Sequence, residues 1–338
     1  MLPDRLESLS YKNRRFEQLA TSRMNKTPLP AQSSQQLLGQ RVFLGPDKLL
    51  RPIWRVVLFI FVAGFALTGV SNGLYALAHR FPGLQFEGFR FGSSFRYVVI
   101  NAALLLVSAL FIRAFDRRSF RTLGLWFYAG WAKEAALGVC CGGALIAATV
   151  GGIVASHGAY YPGLGSDWLD WLFRGGATAV FVLLAAAAEE IAFRGYAFQR
   201  LVDSIGKLGA VLAVSALFGV GHIQNPSTTP LSTANTALAG VLLAVAYLKT
   251  RGLWLPLGLH WAWNFFLGPV FGLPVSGFTS VFQPYLLKAQ VGGPAWLTGA
   301  QYGPEGSIIL TGACIAAIVW LARTKSVFAS PAMAEVLN

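Results

Sequence analysis

The sequence predicts an all-α protein, a polytopic transmembrane bundle of about eight spans with N- and C-termini in the cytoplasm. Three observations lead there. Of the 338 residues, 55% are hydrophobic and 12% charged, against about 25% charged in ordinary soluble domains. Mean hydropathy is +0.55. Apolar runs of the length a bilayer demands, about 20 residues, recur from residue 53 onward with basic clusters beside them.

Residues 1–50 mix charge with Ser, Gln and Pro, as in TPLPAQSSQQLLGQ. They read as a polar cytoplasmic tail, partly disordered or lying on the membrane surface. The first apolar run starts near Ile53, too far along for a secretory signal, so it reads as a retained span. Spans are expected at 53–78, 96–115, 134–156, 172–198, 208–223, 234–249, 253–271 and 305–322. The fifth and sixth are short, so one of them is expected to be tilted, partly buried or re-entrant. The organisation is therefore a tail (1–50), two N-terminal helices (51–119), a core (120–271), an extracytoplasmic loop (272–304), and a last helix with its cytoplasmic tail (305–338).

Charge sets the orientation, because cytoplasmic connections carry an excess of Lys and Arg. One set of connections holds Arg113, Arg117, Arg118, Arg121 and Lys133, then Arg200 and Lys207, then Lys249 and Arg251. The opposite set includes SHGAYYPGLGSDWLDW and QNPSTTP, neither with any Lys or Arg. Arg80, Arg90 and Arg96 in the first outer loop run against this bias. The net charge of +13 is thus distributed as juxtamembrane anchors facing anionic lipid. Membrane lipids are the expected partners, and nucleic acid is not. Cys140, Cys141 and Cys314 lie in apolar runs without Cys-x-x-Cys spacing and read as packing residues.

Ionisable groups inside spans are costly and default to functional candidates. Three clusters occur: Glu189 and Glu190 with Arg194, then FGVGH ending at His222, then HWAWN pairing His260 with Asn264. Glu190 and Arg194 are four residues apart and face each other on a helix. Glu189 points about 100° away, free to face the bundle interior. A Glu190–Arg194 pair is expected as a buried structural bridge. His260 and Asn264 share one face, and Phe218 sits one turn before His222. Between Asp203 and Glu305 there is no Asp or Glu, so an intramembrane histidine seeking a carboxylate has Glu189 or Glu190.

A glutamate beside a histidine can take a proton from water and deliver it to a leaving group. A second histidine with an asparagine offers donors to a developing oxyanion. Such a set hydrolyses an amide without a covalent intermediate. His222, His260 and Glu189 also match a catalytic zinc ligand set, although no His-Glu-x-x-His motif occurs. Two other classes could use the same groups. A proton-coupled transporter would use the acids as a relay, and a non-catalytic binding or immunity protein would keep the motifs for packing.

EEIAFR at 189–194, FGVGH at 218–222 and HWAWN at 260–264 resemble, in order, the three signature motifs of the CPBP intramembrane proteases. That family includes CAAX prenyl protease 2 and the bacteriocin-processing or self-immunity proteins. The similarity covers about residues 120–270. It implies a membrane endopeptidase, in the cell membrane, acting on membrane-associated or lipidated peptides. In it, Glu189 is the catalytic glutamate and His222 assists it in activating water. His260 and Asn264 stabilise the oxyanion, and Glu190, Arg194 and Phe218 support them. Where the prenyl-protease branch carries further histidine around its second motif, this chain has IQNPSTTP, which leaves the substrate open.

Overall fold

The computed structural model describes residues 42–45, 48–81 and 89–337. The tail expected over 1–50 therefore falls mostly outside the described residues. Two compact units separate at the boundary between Leu49 and Leu50. The second, Leu50–Asn338, is an all-α polytopic membrane bundle.

Eight principal helices follow in order: α1 Pro52–Arg80, α2 Phe89–Phe111, α3 Trp131–Ala155, α4 Trp168–Arg194, α5 Tyr196–Gly221, α6 Pro230–Thr250, α7 Trp254–Phe265 and α8 Ile308–Arg323. A short α9, Pro331–Leu337, ends the described chain. Among the described residues, five stretches are long and apolar enough to cross a membrane. One of these joins α4 and α5 into 54 residues, Trp168–Gly221, broken at Gly195. α8 is a shorter apolar helix. Side chains that are strongly exposed on α1, such as Phe61 (73%) and Phe65 (83%), are apolar, as a lipid-facing surface requires.

The short element is α7, and this corrects the expectation for the fifth and sixth spans. α5 has 26 residues and α6 has 21. Their apolar runs look short because both helices extend through polar residues. α5 begins well before Asp203 and Lys207 and is broken only at Gly206, whose φ of +76° an L side chain rarely adopts. α6 begins at a capping box, in which Thr229 Oγ1 accepts the Ser232 N–H and Ser232 Oγ accepts the Thr229 N–H. α7 has twelve α-helical residues before a π-helical turn over Phe266–Val270. Twelve residues rise about 18 Å, less than the hydrocarbon thickness of about 30 Å. The helix is instead enclosed by protein, with Leu255 through His260 all buried.

Glycine makes that enclosure possible. A Cβ on Gly138 would sit 2.3 Å from Leu255 O, on Gly142 2.4 Å from Leu259 O, and on Gly258 2.3 Å from Ala135 O. α3 and α7 therefore meet backbone to backbone, the small-residue packing that helices use in lipid. α7 also packs on α4 and α6, while α5 lies against α6 and α1, and α2 lies against α4. Two buried apolar clusters result. One gathers Phe59, Phe111, Ile191, Tyr196, Phe198 and Tyr247. The other gathers Ile146, Val182, Leu242, Leu259, Trp263 and Leu310.

The connections add a two-stranded antiparallel sheet, β1 Ala159–Leu164 and β2 Leu287–Val291, paired Ala159 to Val291 and Leu164 to Leu287. The register shifts between Tyr160 and Gly163, where Pro162 lacks the N–H a regular ladder needs. The segment expected as a simple loop over 272–304 thus ties itself to the α3–α4 connection.

Candidate active site

Glu190, on the buried face of α4, is 1% exposed, and its partner Arg194 is 0% exposed. Arg194 Nη1 lies 3.2 Å from Glu190 Oε1, one helical turn away. The guanidinium also donates through Nη2 to Gly240 O on α6 at 3.3 Å and covers the Phe218 ring at 4.5 Å. Glu190 does more than neutralise it. The same Oε1 accepts from His260 Nδ1 on α7 at 2.8 Å. One carboxylate thus links two helices and sets the orientation of an imidazole.

Glu189 turns about 100° away along the helix and is 34% exposed. Its ion-pair partner is His260, Nε2 to Oε2 at 3.7 Å, and not His222. Glu189 Oε2 is buried without a donor among the described residues, so it remains an acceptor facing the cavity.

His222 caps the C-terminus of α5. Its Nδ1 is 2.8 Å from Phe218 O. A carbonyl only accepts, so Nδ1 carries a proton, and in the neutral form of the ring Nε2 holds the lone pair. Phe218 also packs on both imidazoles, with ring centroids 4.8 Å from His222 and 6.1 Å from His260. Glu189, His222, His260 and Asn264 all line one cavity of about 580 Å³, and Phe218 forms part of its wall. Glu190 and Arg194 stand behind that wall.

His222, His260 and Glu189 are not gathered as metal ligands. Among the described residues no cluster of three or more His, Cys, Asp or Glu suits an ion.

Several elements of this site carry no motif signal. The tryptophans of α7 each donate an indole N–H to a different neighbour: Trp254 to Trp126 O, Trp261 to Ala179 O, and Trp263 to Glu305 Oε1. They pin the helix that carries His260 and Asn264. Glu305 itself lines the cavity. Its only trace in the sequence is that it ends the acid-free stretch, and nothing there ties it to a histidine some eighty residues earlier.

Carboxylates, imidazoles and an amide thus line one cavity inside a helical membrane bundle. Residues 171–266, which hold all three motifs, match the family model Rce1-like, described as type II CAAX prenyl endopeptidase Rce1-like. The family resemblance therefore stands on this segment, and it indicates a CAAX-protease-type membrane endopeptidase. Comparisons with curated proteins and with solved structures give no match.

Proposed function

We propose that the protein hydrolyses a peptide bond in a membrane-anchored or lipidated chain, using water activated by Glu189 with His222. The observation that carries this reading is the joint lining of one cavity by Glu189, His222, His260 and Asn264. Glu189 accepts a proton from water, and the lone pair of His222 Nε2 offers a second acceptor beside it. The oxygen attacks the carbonyl carbon. His260, held through Nδ1 by Glu190, directs its Nε2 proton at the developing oxyanion, and the Asn264 amide donates beside it. When the C–N bond breaks, the proton taken from water passes to the departing nitrogen, so neither a covalent intermediate nor a second base is required.

Charge balance supports these roles. Two carboxylates and one guanidinium surround His260, and an imidazolium there brings the group to neutrality. The other lining residues include Phe181, Val182, Leu243, Phe278, Val281 and Phe282, a surface suited to an apolar side chain or acyl chain. Prenylated CAAX ends are one member of that substrate class. A zinc ion held by His222, His260 and Glu189 is the alternative source of activated water. No step is derived through it, since these donors do not converge.

The test incubates purified wild type and Glu189→Ala with a peptide library in detergent and reads products by mass spectrometry. Loss of general-base assistance is expected to cost on the order of 10² or more in kcat. Equal cleavage by the two proteins would remove Glu189 from the mechanism. Elemental analysis of the same preparation, followed by assay with chelator, decides on zinc.

A further inference from the structure

Glu305 is a third carboxylate in the cavity, and the steps above do not use it. It lies outside 171–266, on the short turn that leads into α8. Both oxygens are engaged. Oε1 accepts from Trp263 Nε1 at 2.9 Å, and Oε2 accepts from Ser276 Oγ at 3.1 Å and from the Ser276 N–H. Ser276 has φ +47°, a left-handed conformation uncommon outside glycine, and Glu305 satisfies its backbone donor there. The turn is itself clamped. Asn235 Nδ2 donates to Glu305 O and to Ser307 O, each at 2.9 Å, while Thr311 Oγ1 donates to Asn235 Oδ1 at 2.7 Å.

Trp263 and Ser276 present three donors to this group, so a glutamine, whose amide nitrogen only donates, would leave one of them facing a donor. The two accepting oxygens are what these neighbours require, and their hydrogen bonds offset the cost of burying the carboxylate. Glu305 and His222 line the same cavity. Trp263 sits between His260 and Asn264 on α7 and is pinned by the same carboxylate.

We propose that Glu305 is a positioning residue of this site. Through Trp263 it fixes the register of His260 and Asn264 on α7. The proposal rests on the hydrolase reading. It makes the segment 273–307 part of the working site, although the family-matched region ends before it.

The test compares Glu305→Gln, which keeps size but leaves one acceptor, with Glu305→Asp, which keeps both acceptors, on a peptide that wild type cleaves. Glu305→Gln is expected to lose about tenfold or more in kcat with KM within about twofold, as a misplaced catalytic group does. Its melting temperature should fall modestly, since one buried donor loses its acceptor, and Glu305→Asp should recover part of the rate. The Trp263 indole resonance of ¹⁵N-tryptophan-labelled protein, assigned with Trp263→Phe, should move in Glu305→Gln. Wild-type kcat in Glu305→Gln, or an unmoved indole resonance, overturns the proposal. So do equal rate losses in both variants together with lowered melting temperatures, which mark a packing role only. A wild-type protein that cleaves nothing overturns the hydrolase reading, whereas active wild type beside an equally active Glu305→Gln overturns this role alone.

Discussion

A carboxylate one-third open to a cavity and a neighbouring one sealed at 1% exposure obey different energetics. Removing Glu190 leaves the fully buried Arg194 charge without its carboxylate and frees His260 from its acceptor. Breaking a buried pair in this way costs about 3–5 kcal/mol, so Glu190→Ala should melt far below wild type in a detergent thermal-unfolding assay. Glu189→Ala deletes a one-third-exposed group whose ion pair with His260 is long, at 3.7 Å, and it should melt within about 1 kcal/mol of wild type while losing cleavage. If the two variants unfold alike, the division of labour between the glutamates is wrong. Phe218 separates side chain from backbone in a similar manner. Phe218→Leu loses the ring under Arg194, a contribution of about 1–2 kcal/mol, but the carbonyl that orients His222 survives. Its kcat should therefore exceed that of His222→Ala by on the order of 10². Comparable rates in the two variants would show that the ring, not the carbonyl, holds His222.

At the scale of elements the decisive contact is the glycine seam between α3 and α7. Gly258→Val would drive carbon into Ala135 O, where even a Cβ comes within 2.3 Å, and the backbone of a short, enclosed helix has nowhere to move. We expect loss of folded protein in detergent size-exclusion chromatography, whereas Gly64→Val on α1, with nothing within 4 Å of its Cβ position, should elute as wild type. A monodisperse Gly258→Val protein would contradict the close approach. The same helix shows what the sequence could and could not reveal. The HWAWN spacing put His260 and Asn264 on one face because helical periodicity is local. The Glu190–Arg194 pairing was legible for the same reason. The Glu190–His260 bond and the engagement of Trp263 by Glu305 join residues 70 and 42 positions apart, and no local rule specifies such meetings. Helix lengths were misjudged where polar residues continue a helix, as at the Thr229–Ser232 capping box, because an apolar run marks lipid contact and not helix extent.

For the whole molecule, the apolar runs and the basic clusters were sufficient to indicate a polytopic bundle, since hydrophobic length and charge bias act residue by residue. They do not reveal that the segment after α7 folds back, pairs β2 with β1 and supplies Glu305, Ser276 and Phe282 to the cavity. This has a consequence for orientation. If α1 to α8 each traverse the bilayer, the α3–α4 connection and the β2 segment share the face opposite the α4–α5 junction and the end of α8. The paired strands require the first two to lie together, which agrees with the near absence of Lys and Arg there. Ser166→Cys and Lys325→Cys, each in a background with Cys140, Cys141 and Cys314 replaced by serine, should then react with an impermeant maleimide from opposite sides of intact cells or inverted vesicles. Ser166→Cys is expected to label from outside and Lys325→Cys only after the cytoplasmic face is exposed, as the positive-inside rule demands. Labelling of both from one side would mean that an even number of helices crosses between them. The short α8 would then be the element to reassign, because it follows β2, and the β1–β2 pairing requires an even number of crossings among α4 to α7.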